Sequence, residues 1–507
     1  MLTAQSDRGV YEIHLTPDAG VVPISEMHNW RLRVTDRNGV AFFPTQLAIQ
    51  GGMPGHGHGF PVEPQASRYL ESGEFLVEGV FFNMAGDWQI RVGVEGPSGW
   101  DTATFVFAVS PQSSKDIQSA HWTSRELDTL RSLQWSKAGE IPRDISNRYD
   151  GNFEAVRLGE LLFHDPKLSQ SGQVSCASCH QPQHFFTDGK ARSFGSAQTL
   201  RHTPSLLGVA RQRWFYWDGR RDTLWAQALT PLETQGEMDN NRSDVVHYVL
   251  DSARYRTLLE TLVGELPDVN DQQRFPAGAG PFSSKTGKSA WQSMAPNDQR
   301  TINGIFSAVG KSIAAFEATL DLEPSRFDRF VSALFHQGES AAQAIIQPAE
   351  QRGLKLFLDQ ERTQCLRCHN GPMLSNGGFH NIGTGQFSGE NLDFGRIFGL
   401  RAVHYDEFNC RGQYSDAEND DCIALRFGLQ RELPAFIQGA FKVPTLRNVA
   451  NTAPYFHDGR YATLKEVVAH YRDPPGEGSE LDSLPLSDRD IQDMVEFMQM
   501  LSIESDH

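Results

Sequence analysis

Cys176-Ala-Ser-Cys179-His180 recurs later in the chain as Cys365-Leu-Arg-Cys368-His369. Each stretch reads Cys-x-x-Cys-His, the attachment signature of a c-type haem. The two cysteines form thioether bonds to the haem vinyl groups, and the adjacent histidine supplies one axial nitrogen to iron. A thioredoxin-like pair would not need the histidine. A zinc site would need further closely spaced ligands, and these flank neither copy. Two copies therefore predict two covalently bound c-type haems, each in a mainly α-helical cytochrome c-type domain. What fills the other face of each iron decides what it does, because a closed iron transfers electrons and an open one does chemistry.

The chain has 507 residues, enough for about three domains. It is 39% hydrophobic and 21% charged, an ordinary water-soluble mixture. No apolar run approaches the length of a membrane-spanning helix. A net charge of -17 argues against nucleic acid or anionic membrane as partner and is compatible with a basic small redox protein. Of six cysteines, Cys410 and Cys422 lie outside the haem motifs, close together in a polar segment, and predict a local disulfide. Disulfide and covalent haem both point to an oxidising compartment, in bacteria the periplasm. The chain starts at Met1-Leu-Thr-Ala-Gln without a basic-then-apolar leader, as expected of a mature or trimmed form.

Residues 1–110 carry short β-rich runs at Val10–Leu15, Trp30–Val34, Phe75–Phe82, Trp88–Val94 and Phe105–Val109. Their alternation and turn punctuation predict an antiparallel β-sandwich. The loop Gly51-Gly-Met-Pro-Gly-His56-Gly-His58-Gly offers copper donors in His56 and His58, with Met53 and Met84 nearby. A Gly-rich surface loop with solvated histidines is the plainer reading. The segment resembles small sandwich domains related to YtkA and FixH, through its Met-Pro-x-His-Gly-His-Gly and Phe-Asn-Met-Ala-Gly runs.

Residues 111–150 are expected to be a linker, with helix between Ser114 and Trp135. Residues 151–338 and 339–507 are expected to be the first and second cytochrome c domains. Helices are predicted at Phe153–Phe163, Ile305–Leu320, Ala342–Leu358 and Ser487–Ile503, with residues 264–300 as a surface excursion. Thr463-Leu-Lys-Glu466 has the form of a capping box opening a helix through Tyr471. Met494 and Met498 fall on the apolar stripe of the last helix and read as core.

Over residues 140–505 these features resemble the bacterial dihaem cytochrome c peroxidase and MauG superfamily. The resemblance rests on both haem motifs, Tyr216-Trp217-Asp-Gly-Arg220, Gln227, Glu237-Met238 and the Thr452-Ala-Pro454 run, in that order apart from the second haem motif between the last two. It implies that the first haem is peroxidatic and the second stores an oxidising equivalent. Trp217 is implied as the bridge, and its π system suits hole transfer. Gln227 and Glu237 are implied in the peroxide pocket, with Pro231 matching the pocket proline of the MauG branch. Glu237 would move a proton from the near to the far peroxide oxygen, with Asp239 as its rival.

Two departures set the chain apart from ordinary dihaem peroxidases. The segment after the first motif looks like the MauG branch, and His184 is too close to His180 to cross to the other haem face. An open or water-bound first iron is therefore expected. Tyr471 stands where ordinary peroxidases have an axial methionine, and an anionic phenolate stabilises high oxidation states. The resemblance then implies a bis-Fe(IV) state. His470 is a rival ligand, about 100° away on an ideal helix. Related enzymes hold calcium with an asparagine side chain and two carbonyls. Thr452 and Pro454 match the carbonyls, but His202 stands at the asparagine position, which weakens a hard oxygen site.

The expected function is that of a periplasmic MauG-like oxidoreductase, using hydrogen peroxide to oxidise a protein or small-molecule substrate. One alternative is peroxide detoxification with electrons from a small redox protein. Tyr471 counts against it, because a low-potential second haem accepts such electrons poorly. Another is a non-catalytic redox sensor or electron relay, against which an open first iron counts.

Overall fold

Alternating burial builds the N-terminal part. In the computed structural model Trp88, Ile90, Val92 and Val94 of one strand are all buried, as period-two alternation requires. The structure describes all residues except 1, 18–21, 23–27, 54–57, 61–63, 71–72, 83–85, 110–119, 386–392, 419–421, 423–424, 426–437, 474–478 and 504–507. The strands are β1 (Leu2–Gln5), β2 (Tyr11–Pro17), β3 (His28–Asp36), β4 (Gln46–Met53), β5 (His58–Gly59), β6 (Gln65–Tyr69), β7 (Phe75–Val80), β8 (Gly86–Gly96) and β9 (Gly99–Val109). They form two antiparallel sheets, β1-β2-β3-β7-β6 and β5-β4-β8-β9. Their inner faces share one apolar core that includes Trp30 and Trp88. β4 and β6 escaped the sequence pattern because Gly51-Gly52 and the polar Gln65 and Arg68 dilute it. His56 and Met84 lie outside the described residues. The backbone of His58 pairs with that of Met53.

The rest is mainly helical, with one two-stranded antiparallel ribbon of Phe379–His380 and Phe441–Lys442, and uses one helix crossing twice. Helix Phe153–Phe163 packs on helix Pro296–Glu317 in the first haem region, and Pro348–Leu358 packs on Asp488–Met500 in the second. Each crossing is made at a glycine. A Cβ on Gly159 would lie 1.9 Å from the Ser312 carbonyl oxygen, and one on Gly353 would lie 1.9 Å from that of Asp493. Backbone-to-backbone packing this close tolerates no side chain.

Three expectations change. Ala342–Leu358 is two helices, Glu339–Gln343 and Pro348–Leu358, because Pro348 cannot continue a helix and takes the first-turn position of the next. Residues 264–300 are not simply a surface excursion, since Phe275, Ala279, Trp291 and Met294 enter the first core and Lys285–Ser293 is helical. The connector's helix is short, Ser124–Ser132, capped by Thr123 and Glu126. It is also no bare tether: Trp122, Leu127, Leu130 and Leu133 join the second core, while Tyr149 joins the first.

A segment of the second haem region returns onto the first. Asp406 pairs with Arg221 at 2.9 Å, Glu407 with Arg242, and Asp416 with Lys311. The expected disulfide between Cys410 and Cys422 closes this segment, and the Cys410 N–H donates to Asp222 at 3.0 Å. Lys311 is buried, so losing Asp416 would strand its charge and cost about 3–5 kcal/mol, whereas buried Arg242 keeps Glu233 at 3.0 Å. No helix among the described residues is long and apolar enough to cross a membrane.

Gly353→Ala should lower unfolding stability by about 1–3 kcal/mol in denaturant titration, by overpacking the crossing. Gly304→Ala, in helix Pro296–Glu317 with nothing within 4 Å of the added Cβ, should instead raise stability by about 0.5–1 kcal/mol. Equal effects would show that the crossing is not the constraint.

Candidate active site

Both motif histidines are oriented by a backbone carbonyl. His180 Nδ1 lies 2.9 Å from Phe186 O, and His369 Nδ1 lies 3.1 Å from Leu374 O. A carbonyl only accepts, so each Nδ1 carries its proton and each Nε2 presents a free lone pair. Burial lowers both imidazole pKa values, that of His369 to about 4, so both rings are neutral as iron ligands must be. The four motif cysteines form no disulfide and remain available for thioether bonds.

A single cavity joins the two motifs. His180 and Gln227 line one end, and Cys365, Cys368, His369 and Tyr471 line the other. Its wall is mostly apolar, which suits a porphyrin face. These residues fit two covalent haems, one at each motif. His184 is exposed and lies outside the cavity wall.

The helix lining each end of the cavity starts from the same local design. Tyr216 and Phe456 hold φ of 67° and 66°, bridges join Phe215 to Arg221 and Tyr455 to Tyr461, and a threonine caps each helix. Thr223 caps Leu224–Glu233, and Thr463, with Glu466 completing its capping box, caps Leu464–Arg472. The two helices therefore share a register. Four residues past the cap, Gln227 and Val467 both line the cavity. Eight residues past it, the second helix presents Tyr471 and the first has Pro231. Six residues before the cap, Trp217 and His457 both line the wall.

Tyr471 reaches the cavity and its hydroxyl makes no hydrogen bond to a described residue. Burial raises its pKa, so a phenolate there would need a cation beside it. His470 is committed elsewhere, with Nε2 2.9 Å from Ile382 O and Nδ1 3.1 Å from Tyr461 Oη. Met494 and Met498 lie in the second core and also line the cavity.

At the first end the Gln227 side chain is buried with its Oε1 unpartnered. Burial raises the Glu237 carboxyl, with Arg220 pulling the other way. The charge of Glu237 acts on Cys176, Cys179 and Tyr216, which puts it near the first haem motif. Asp239 is spent on the turn, accepting from Gly236 N at 2.8 Å and from Ser196 Oγ. Pro231 sits inside its helix, and its carbonyl accepts from Met238 N at 3.2 Å, tying the Glu237 turn back to the helix.

Trp217 is held at both ends. Its indole N–H donates to His202 O at 2.9 Å, and its carbonyl accepts from Lys442 N at 2.7 Å. Around it runs a charge network that sequence reading missed. Arg201 grips Asp393 through two bonds of 2.8 Å and pairs with Asp218 at 2.7 Å. Despite burial, Arg220 and Arg201 hold Asp218 down to about 2. Lys442 Nζ donates to Trp214 O at 2.9 Å and to Gln212, and burial pulls it down to about 7. The signal was present: Lys442-Val-Pro-Thr-Leu repeats His202-Thr-Pro-Ser-Leu, so Lys442 is the second-region counterpart of His202.

Residues 153–334 match the family model of di-haem cytochrome c peroxidase. Cytochrome-c peroxidase IdrP2 of Pseudomonas sp. (strain SCT) is 31% identical over 69% of this chain and 82% of its own length. The methylamine utilization protein MauG of Methylorubrum extorquens is 28% identical, covering 79% of this chain and 92% of its own. The cytochrome c551 peroxidase of Pseudomonas aeruginosa is 26% identical over 68% of this chain and 78% of its own length.

His470→Gln should leave the absorption spectrum of the holoprotein unchanged, whereas Tyr471→Phe should shift the bands of the second haem. The reverse pattern would reassign the ligand.

Proposed function

The chain belongs to the di-haem cytochrome c peroxidase family that includes MauG, and from that premise we propose that it is a MauG-like peroxide-dependent oxidoreductase. Its two haems have unequal jobs. The observation that carries this is the shared helix register, with Tyr471 in the second region where the first has Pro231. Tyrosine brings an oxygen donor to that position, and proline brings none. His369 Nε2 and Tyr471 Oη would hold the second haem, and His180 Nε2 would hold the first, where no second side-chain ligand is supplied and hydrogen peroxide would react.

When bound, the haems supply peroxide activation and storage of two oxidising equivalents. The chain supplies the rest. Glu237, its carboxyl raised by burial, holds a proton nearer neutral pH than a solvated glutamate and passes it between the peroxide oxygens. Gln227 lines the pocket and carries a buried oxygen without a hydrogen-bond partner, which would accept the peroxide O–H. Trp217, fixed at indole and carbonyl, stands in the wall of the cavity that both motifs share and carries the hole between them. Tyr471 as a phenolate stabilises the oxidised second iron. The substrate that would supply the electrons is a protein or a small molecule. Thioether attachment and the Cys410–Cys422 disulfide support action in the periplasm.

Adding hydrogen peroxide to the diferric protein should give two Fe(IV) signals by Mössbauer spectroscopy, the bis-Fe(IV) state. A single Fe(IV) signal would contradict the sharing of oxidising equivalents. Glu237→Gln should slow that step by about 10²–10⁴-fold in stopped-flow mixing. That corresponds to about 3–5 kcal/mol of barrier. Asp239→Asn should slow it far less, and a larger effect at Asp239 would make it the proton carrier.

A further inference from the structure

The calcium ion that the family resemblance implies does not fit the residues present. The donors would be the carbonyls of Thr452 and Pro454 and the side chain at 202. Calcium takes six to eight hard oxygen ligands, and His202 offers a nitrogen instead. That imidazole is already engaged. Its Nδ1 donates to Lys190 O at 2.8 Å, which uses the one N–H of a neutral ring. His202 is 4% exposed, which leaves little access for water to complete a calcium shell. Among the described residues no group of three or more His, Cys, Asp or Glu is placed to hold a metal ion.

We infer that His202 replaces the cation as the tether between the two haem regions and as the positioning residue of Trp217. Three hydrogen bonds meet in this one residue. Its ring donates to Lys190 O of the first region at 2.8 Å. Its backbone N–H donates to His457 O at 2.8 Å, and its backbone carbonyl accepts the Trp217 indole N–H at 2.9 Å. Trp217 and His457 are the matched residues six positions before the two helix caps, so His202 binds one member of each repeat. Lys190 lies ten residues after His180, on the loop that follows the first motif, so the tether also anchors the return of that loop. A bound ion would exchange with a chelator; an imidazole built into the chain cannot.

The part concerning Trp217 rests on reading that indole as the conduit; the replacement of calcium does not. The test uses resting holoprotein without peroxide, so its outcome is separate from that of the peroxide reaction. Calcium is measured by elemental analysis in the as-isolated protein. The diferric absorption spectrum and the thermal midpoint are then recorded after chelator treatment and after calcium chloride is added back. The expected result is calcium well below one ion per chain and no change in either readout. His202→Asn restores the oxygen donor, and its thermal midpoint should fall in chelator and recover with calcium. One calcium per chain in the wild-type protein, removed by chelator with a shift in either readout, would overturn the inference. So would a His202→Asn variant with wild-type stability in chelator and no response to calcium. The wild-type measurement decides the matter alone if that variant does not fold.

Discussion

The residue eight positions beyond a capping threonine is the constraint on which the rest of this structure depends. Thr223 and Thr463 pin the first turns of two matched helices, and a pinned helix has no freedom to rotate its later residues. At that fixed place Tyr471 supplies an oxygen and Pro231 cannot supply any ligand atom. The chain thus starts from one duplicated plan, down to the glycine crossings at Gly159 and Gly353, and makes its halves unequal by a single side chain in the same register. The environments then diverge to match. The first end gathers a raised carboxyl and an unpartnered amide, whereas the second is lined by Val467 and Val468 around its tyrosine.

The proposed division of labour between the haems requires a fixed path between them. Trp217 is held through its indole by His202 and through its carbonyl by Lys442. Arg201 clamps the adjoining Asp218 to Asp393 of the second region, and Arg396 donates to Gly219 O at 2.8 Å between the rings of Trp214 and Phe379. Farther out, Asp406 and Glu407, just before the disulfide-closed loop, and Asp416 within it pair with Arg221, Arg242 and Lys311. These pairs carry a desolvation cost and contribute little net stability, but they hold one arrangement against others. A conduit between redox centres needs that rigidity more than it needs extra stability.

Much of this was legible in the sequence, for identifiable reasons. The haem motifs, the Thr463–Glu466 capping box and the Cys410–Cys422 pair are local signals whose chemistry fits within a few residues. The capping box placed Tyr471 one residue from its rival, and the structure separates them by giving both nitrogens of His470 other partners. What escaped was long-range. Arg201, Asp218 and Asp393 come together from segments far apart in sequence, and Lys442 is a buried amine in an otherwise unremarked run. The core residues Phe275 and Trp291 were hidden in a Gly- and Pro-rich stretch, whose composition reports the turns and not what lies between them. The equivalence of Pro231 and Tyr471 was written in the sequence as well, but only the shared caps and matched φ values make it a structural statement.

The central claim is that the first iron is open and the second is closed by tyrosine. Low-temperature electron paramagnetic resonance of the as-isolated diferric protein tests it most directly. The account predicts one high-spin and one low-spin ferric signal of equal integrated intensity, with Tyr471→Phe altering only the low-spin one. Two low-spin signals in the resting protein, or a Tyr471→Phe variant with an unchanged low-spin signal, would contradict it.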